Sequence, residues 1–319
     1  MSKKRLRKNT VLPFFSIIIP CHNVAHSVMG TLNSVAAQNE RAFEVIAVND
    51  GSSDTTLHVL ESFNASFPFV IIDQKNKGLG GARNAGVTVA HGEFLAFLDA
   101  DDLWEPEKLE RVRETLHETG ADLVCHDEYF VRAGTTVRNH RYGPRTKYLD
   151  LLFHGNCLSP SAVTVRRDAV VSLGGFSEDR RGHGVEDYDL WMRLARVGRK
   201  FYYLHESLGS YVLHDANMSA GPDFQECERF ILEQHFSHLD ATNPALARKI
   251  SKRRALNDAC AGWSRFQRGQ WVAAFGDYQR ALRGDFFGTT VWKYMAIGTF
   301  REIIRQTSTK LGKPKGTPA

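Results

Sequence analysis

The chain has 319 residues, 42% of them hydrophobic and 24% charged, with a net charge of +5. That length holds one large domain and a smaller appendage, and that composition fills an ordinary globular core rather than a disordered or fibrous chain. No apolar run reaches the ~18 residues that span a bilayer, and the scattered Cys21, Cys125, Cys157, Cys227 and Cys260 form neither a disulfide framework nor a metal-binding pair.

Much of the positive excess lies at the two ends, in Lys3, Lys4, Arg5, Arg7 and Lys8 and in Lys310, Lys313 and Lys315. Residues 1–12 read as a basic disordered tail. Such ends suit an anionic membrane surface. They argue against nucleic acid, because the cations are not interleaved with aromatic residues on one face. The stretch Val11 to Pro20 superficially resembles a signal peptide. Pro13 and Pro20 interrupt it, no small-residue cleavage site follows, and it reads better as a first strand in a cytoplasmic protein.

Taken in order, Phe14 to Ile19 predicts a strand with Cys21-His22-Asn23 in the loop beyond it, and Val28, Leu32 and Val35 recur at helical spacing up to about Gln38. Phe43 to Val48 predicts a second strand, closed by the turn-and-cap cluster Asn49-Asp50-Gly51-Ser52-Ser53-Asp54. A second helix carries Leu57, Leu60 and Phe63, and Phe69 to Ile72 a third strand. Asn76-Lys77-Gly78-Leu79-Gly80-Gly81 leads into a helix through Ala82-Arg83-Asn84-Ala85. The five apolar residues Phe94 to Leu98 then predict a strand covered on both faces. These βα repeats imply a parallel, doubly wound sheet.

Three carboxylates follow that strand, in Asp99-Ala100-Asp101-Asp102, where open α/β sheets place their ligands. Acids so close repel one another unless a cation neutralises them, and oxygen-liganded Mg²⁺ or Mn²⁺ is the economical choice. The plainer alternative is a turn and helix cap, since Trp104-Glu105-Pro106-Glu107 opens a helix; Asp102 is expected to be that cap. Further on, Asp122 to Cys125, Tyr129 to Val131, Ala162 to Val165, Phe201 to Leu204 and Ser210 to Leu213 predict short strands. A helix is expected from about Glu186, with Leu190, Leu194 and Val197 on its buried stripe. From about 222 only helices are indicated. Trp263 to Leu282 has the spacing of one tetratricopeptide unit, and Val291 to Ile304 is a last aromatic-rich amphipathic helix.

Seven motifs in order resemble the family-2 glycosyltransferases. Ser16-Ile17-Ile18-Ile19-Pro20 with Asn23 resembles the opening strand and loop, and Val48 to Asp54 the second signature. Asn76-Lys77-Gly78 and Ala82-Arg83-Asn84 are similar to the third, and Asp99-Ala100-Asp101 to the DxD motif. Gly174-Gly175-Phe176-Ser177-Glu178 and Glu186-Asp187-Tyr188-Asp189-Leu190-Trp191 are similar to the acceptor-side motifs. The resemblance covers about residues 13–220. It implies the GT-A fold, a doubly wound mixed α/β sheet, followed by a C-terminal all-helical extension over 221–319.

By that resemblance, Pro20, Asn23, Asp50, Lys77, Arg83, Asp99 and Ala100 bind the nucleotide, with Asp50 accepting from a uracil N–H, Arg83 and Lys77 touching base or phosphate, and Asp99 on the ribose. Asp101 and His214 hold Mg²⁺ or Mn²⁺. Asp187, with Glu186 beside it, is the base of an inverting transfer from a nucleotide-sugar, a UDP-sugar by preference, to a saccharide or lipid-linked saccharide hydroxyl. Val212 stands where the family has an arginine, and His22 where it has an aromatic residue. The implied place is the cytoplasm, peripherally at the inner face of the membrane. Two other functions fit an acid-bearing nucleotide fold: a nucleotidyltransferase that makes a nucleotide-sugar, and a non-catalytic scaffold on a degenerate transferase domain. The Glu186-Asp187 pair and the lack of a basic triphosphate loop weigh against the first, and the intact acids at 99, 101 and 187 against the second.

Overall fold

The computed structural model of the protein describes residues 13–214 and 223–288, with Trp292, Lys293 and Ala296. The basic tail at 1–12, the basic C-terminal end and nearly all of the helix expected over 291–304 lie outside the described residues. Two compact units divide the chain at Asn217/Met218.

The first unit is built on a nine-stranded mixed sheet. Its first half comprises β1 (Phe15–Cys21), α1 (Val28–Ala36), β2 (Phe43–Asp50), α2 (Thr56–Ser62), β3 (Phe69–Gln74), α3 (Gly78–Val89) and β4 (Phe94–Phe97). These strands pair in parallel in the order β3-β2-β1-β4. Every residue of β1, β2 and β4 is buried, which is why these segments read as mostly apolar runs instead of an alternation, with the buried Ser16 donating to Glu44 Oε1 at 2.7 Å. Ile17, Ile19, Val45 and Ala47 share a core with Leu32, Val35 and Leu60. Ile18 points to the other face, where Gly86 of α3 comes so close that a Cβ there would lie 2.6 Å from its side chain.

The second half comprises β5 (Leu103–Trp104), α4 (Lys108–Thr119), β6 (Leu123–Arg132), β7 (Thr135–His140), α5 (Tyr148–His154), β8 (Val163–Arg166), α6 (Arg167–Ser172), α7 (Glu186–Arg196) and β9 (Phe201–Val212). β8 runs antiparallel between β4 and β6, so the doubly wound pattern stops at β4 and the sheet becomes mixed. Where the apolar pattern gave pairs of short strands, the structure has one long strand each time. β6 continues through Asp127 and Glu128 because both acids are paired inside the sheet: Tyr142 N–H donates to Asp127 Oδ1 (2.8 Å) and the Tyr142 hydroxyl to Glu128 Oε2 (2.7 Å). β9 continues through Glu206, whose carboxylate receives both Nε (3.0 Å) and Nη2 (2.7 Å) of Arg111.

Asp102 is not the helix cap it was expected to be. α4 starts six residues later, with Glu107 at its N-cap position. Asp102 is instead 1% exposed and accepts from Ser161 Oγ (2.6 Å) and from the backbone N–H of Val212 (2.9 Å).

The second unit contains α8 (Phe224–Phe236), α9 (Pro244–Gln267) and α10 (Trp271–Gly284). Asn243 caps α9, its side chain accepting from Ala245 N–H (3.0 Å) and Leu246 N–H (3.3 Å), with Pro244 at the first helical position. Ala255, Ala259 and Ala281 form a small-residue seam between α9 and α10, and Gly262 admits the Tyr278 ring. Asp277 is fully buried and accepts two bonds from Arg265 Nη1, at 2.9 and 2.7 Å.

Candidate active site

The candidate side chains gather at the C-terminal ends of β1, β2 and β4 and at the start of α7. Asp50, the last residue of β2, is 3% exposed. Its Oδ1 accepts from Lys77 N–H and Gln74 Nε2, both at 2.8 Å, and its Oδ2 from Gly78 N–H at 2.9 Å. Gly78 adopts φ +80°, a left-handed backbone that glycine takes without steric cost. The carboxylate therefore moulds the loop over Asn76–Gly78. Three of its roughly four acceptor positions are filled, and one on Oδ2 is left.

Asn23 bridges neighbouring loops. At φ 55° its Oδ1 accepts from Ser53 N–H (2.8 Å) and Asp54 N–H (3.3 Å). Pro20 is buried within β1, and Lys77 is exposed on the loop that Asp50 holds. His22 Nδ1 lies 2.9 Å from the Asp50 carbonyl.

Arg83, on α3, is 1% exposed. Its Nη2 donates to Asp99 Oδ1 (2.8 Å) and its Nη1 to Glu186 Oε1 (2.7 Å). One planar guanidinium thus joins an acid after β4 to an acid on α7, a fork that a lysine cannot reproduce. Both arms serve carboxylates rather than reaching outward. Glu186 is also held at its other oxygen, Oε2, by Gly184 N–H at 2.7 Å.

Asp187 stands beside that strut and has no ion pair of its own among the described residues. Asn156 Nδ2 sits 3.5 Å from its Oδ2, at the limit of a hydrogen bond. Burial, reinforced by the Glu186 charge and only partly offset by Arg83, pushes the Asp187 carboxyl up to about 7.

Asp101 and His214, 113 positions apart, meet at 2.7 Å between Oδ2 and Nε2. Burial and the Asp99 charge raise the Asp101 carboxyl, and burial with Glu128 raises that of Asp102 well above its ordinary value. The Asp99 charge acts on Asp101, Asp102 and Asp187, while the buried guanidinium pairs with Asp99 and Glu186, so the site carries more acids than that one cation balances. Among the described residues no group of three His, Cys, Asp or Glu side chains forms a complete cation cage. An Asp oxygen and an imidazole nitrogen do suit Mn²⁺ or Mg²⁺ as a partial set, to be completed by water and by the phosphates of a nucleotide. The donor chemistry and the surplus negative charge therefore fit a divalent cation.

Sequence patterns did not single out four residues that shape this site: Gln74, Asn156, Ser161 and Gly184. Ser161 joins two halves of it, donating to Asp102 and accepting from Asp99 N–H at 3.1 Å. Each acts across at least 24 positions or through a backbone atom, and local spacing carries no signal for such contacts.

Comparison with known proteins places this geometry in a family. The profile of Glycosyl transferase family 2 matches residues 16–171, and that of Glycosyl transferase family group 2 matches residues 94–308. An uncharacterized glycosyltransferase of Rickettsia typhi is 30% identical over 229 residues, 66% of this chain and 67% of that protein. The chain belongs to glycosyl transferase family 2. Across three curated relatives the match spans 61–68% of their own length. The fold of this transferase is similar to that of a Staphylococcus aureus TarS fragment, with a TM-score of 0.61 at 23% identity, covering 92% of this chain and 91% of that one. TarS has also been solved with UDP-GlcNAc. A mannosyltransferase from Pyrobaculum calidifontis, in complex with GDP-Man and Mn²⁺, has a TM-score of 0.59 at 17% identity over 92% of this chain and 81% of that one. The protein is thus a GT-A-type glycosyltransferase with a helical C-terminal part.

Proposed function

We propose that the enzyme transfers a sugar with inversion from a UDP-sugar to a hydroxyl of a saccharide acceptor carried on a lipid, using a divalent cation. The observation that carries this reading is Asp187: an acid beside the Arg83 strut, free of an ion pair, with its carboxyl up to about 7. A carboxylate poised near the working pH is suited to take the proton from an acceptor hydroxyl as that oxygen attacks the anomeric carbon. Glu186, with both oxygens engaged, positions the first turn of α7 and leaves the base role to its neighbour.

Uridine is favoured over guanosine by the one acceptor position remaining on Asp50. Uracil offers a single N–H at that edge, whereas guanine presents an N–H and an amino group side by side and asks for two acceptors. In this reading Asp99 meets the ribose, and Asp101 with His214 holds the cation. Bound there, Mg²⁺ or Mn²⁺ supplies a Lewis acid that neutralises the departing nucleoside diphosphate.

The test is a panel of UDP-, dTDP- and GDP-sugars, scored for thermal stabilisation and for hydrolysis with and without Mn²⁺. UDP-sugars are expected to stabilise the protein, in a Mn²⁺-dependent manner that Asp101→Ala abolishes. Stabilisation by GDP-sugars alone would overturn the base assignment, and equal nucleotide affinity of Asp101→Ala with and without Mn²⁺ would overturn the ligand assignment.

A further inference from the structure

None of the site residues named above lies in the helical C-terminal unit, which exposes more aromatic surface than a helical hairpin needs. Val272 and Phe275 lie three residues apart on the outer side of α10 and are 90% and 63% exposed, whereas Ala274, Tyr278 and Ala281 fill the inner side. Just past the helix Phe286 and Phe287 are 57% and 91% exposed. Isolated surface apolar residues are ordinary, but large ones clustered on one element mark a contact surface.

Basic residues outnumber acidic ones in the sequence around these side chains. From Ser264 to Phe300 the sequence has five cations, Arg265, Arg268, Arg280, Arg283 and Lys293, and only two acids, Asp277 and Asp285. Asp277 is fully buried and spent on Arg265 and Arg280. The first half of α9 adds the exposed Arg248, Lys249 and Lys252, while its Arg254 is paired with Glu233. Ser251 Oγ donates to the Gly284 carbonyl at 2.9 Å. The chain therefore leaves α10 beside the turn of α9 that carries Arg248 and Lys252, with Phe286 and Phe287 next along it. Aromatic side chains ringed by lysine and arginine match the boundary between anionic headgroups and acyl chains. A second copy of the same face would set cation against cation, and no helix among the described residues is long and apolar enough to cross a bilayer.

We infer that α10, the Phe286–Phe287 corner and the basic first half of α9 form an interfacial docking surface for an anionic membrane. The inference extends the proposed lipid-carried acceptor by giving the enzyme a way to reach it. It stands on contacts separate from those of the donor site.

The test is co-sedimentation of the full chain with vesicles of phosphatidylcholine alone and of phosphatidylcholine with phosphatidylglycerol, alongside donor hydrolysis on the same samples. The wild type is expected to bind the anionic vesicles at least tenfold more strongly and to release them in high salt. Phe275→Ser with Phe287→Ser, and separately Arg248→Glu with Lys252→Glu, should each weaken binding at least tenfold while leaving donor hydrolysis and melting temperature unchanged. No preference for anionic vesicles, or wild-type binding by both double variants (attachment through the basic tails), would overturn it. So would a concentration-dependent dimer, seen by light scattering, that the Phe275→Ser, Phe287→Ser protein cannot form. Vesicle binding with no UDP-sugar hydrolysis would leave this surface standing and count against the proposed UDP-sugar donor alone.

Discussion

Replacing Asp187 with asparagine tests the base in two directions at once. An acid whose folded value is about 7, against an ordinary 3.8, binds a proton in the folded protein that the unfolded chain has released at the same pH. Stability therefore falls as pH rises from about 4 to about 7, and stays at the lower level above that. From pH 5 to pH 8 the wild type loses about two units' worth, on the order of 3 kcal/mol at 1.4 kcal/mol per unit. An asparagine side chain has no proton to lose, so the variant should be relatively more stable at pH 8 than at pH 5. For a unit of this size each kcal/mol moves the melting temperature by roughly 2–4 °C, so the gain at pH 8 should exceed that at pH 5 by up to about 10 °C. Activity goes the other way: loss of a positioned base costs about 10²–10⁴ in kcat, while nucleotide affinity holds. Differential scanning fluorimetry at the two pH values, with sugar transfer measured at pH 8, reads both. An equal melting shift at pH 5 and pH 8 would show that Asp187 is not held protonated, and normal turnover would remove it as the base.

The wild-type rate should rise through pH 6–8 as Asp187 ionises, and a rate flat across that range would assign the proton transfer elsewhere. Arg83→Lys should cost about 3–5 kcal/mol in urea denaturation, because one ammonium cannot satisfy both Asp99 and Glu186 and leaves a buried charge unpaired; wild-type stability would mean the strut carries no load. Ser161→Ala should cost about 1–3 kcal/mol, since Asp102 and the Asp99 N–H both lose a partner. It should also weaken Mn²⁺-dependent nucleotide binding by calorimetry, and unchanged binding would separate Ser161 from the site. Gly80→Ala should lower the melting temperature by several degrees, as its Cβ would come 2.2 Å from the Ser177 carbonyl oxygen. A wild-type melting curve would show that α3 and this turn can part at little cost.

The parallel half of the fold was legible because burial on both faces leaves mostly apolar residues in β1, β2 and β4, and among the exceptions Ser16 and Glu44 bond each other inside the sheet. The antiparallel half was less so. Glu128 and Glu206 broke the apolar pattern, and only partners far along the chain, Tyr142 and Arg111, show why a strand can carry them. At the site, the spacing of Asp99 and Asp101 flagged acids with surplus charge. It could not tell Asp101, which meets His214, from Asp102, which is spent on Ser161 and Val212. Arg83 was visible as a cation on a glycine-rich loop and helix start. That it faces inward to two acids, 16 and 103 positions away, is a fact of topology.

The Arg83 fork makes donor occupancy and base ionisation reciprocal. The same positive charge lies between Asp99, placed for the donor, and Glu186, neighbour of Asp187. Any donor that draws Asp99 away from the guanidinium leaves more of that charge to act on α7, which makes Asp187 more acidic. By the same linkage, ionising Asp187 must tighten the hold on that donor to an equal degree. On these proposed roles the enzyme is readied to accept a proton when the sugar is in place, and the apparent pKa read from kcat should lie below that read from kcat/KM.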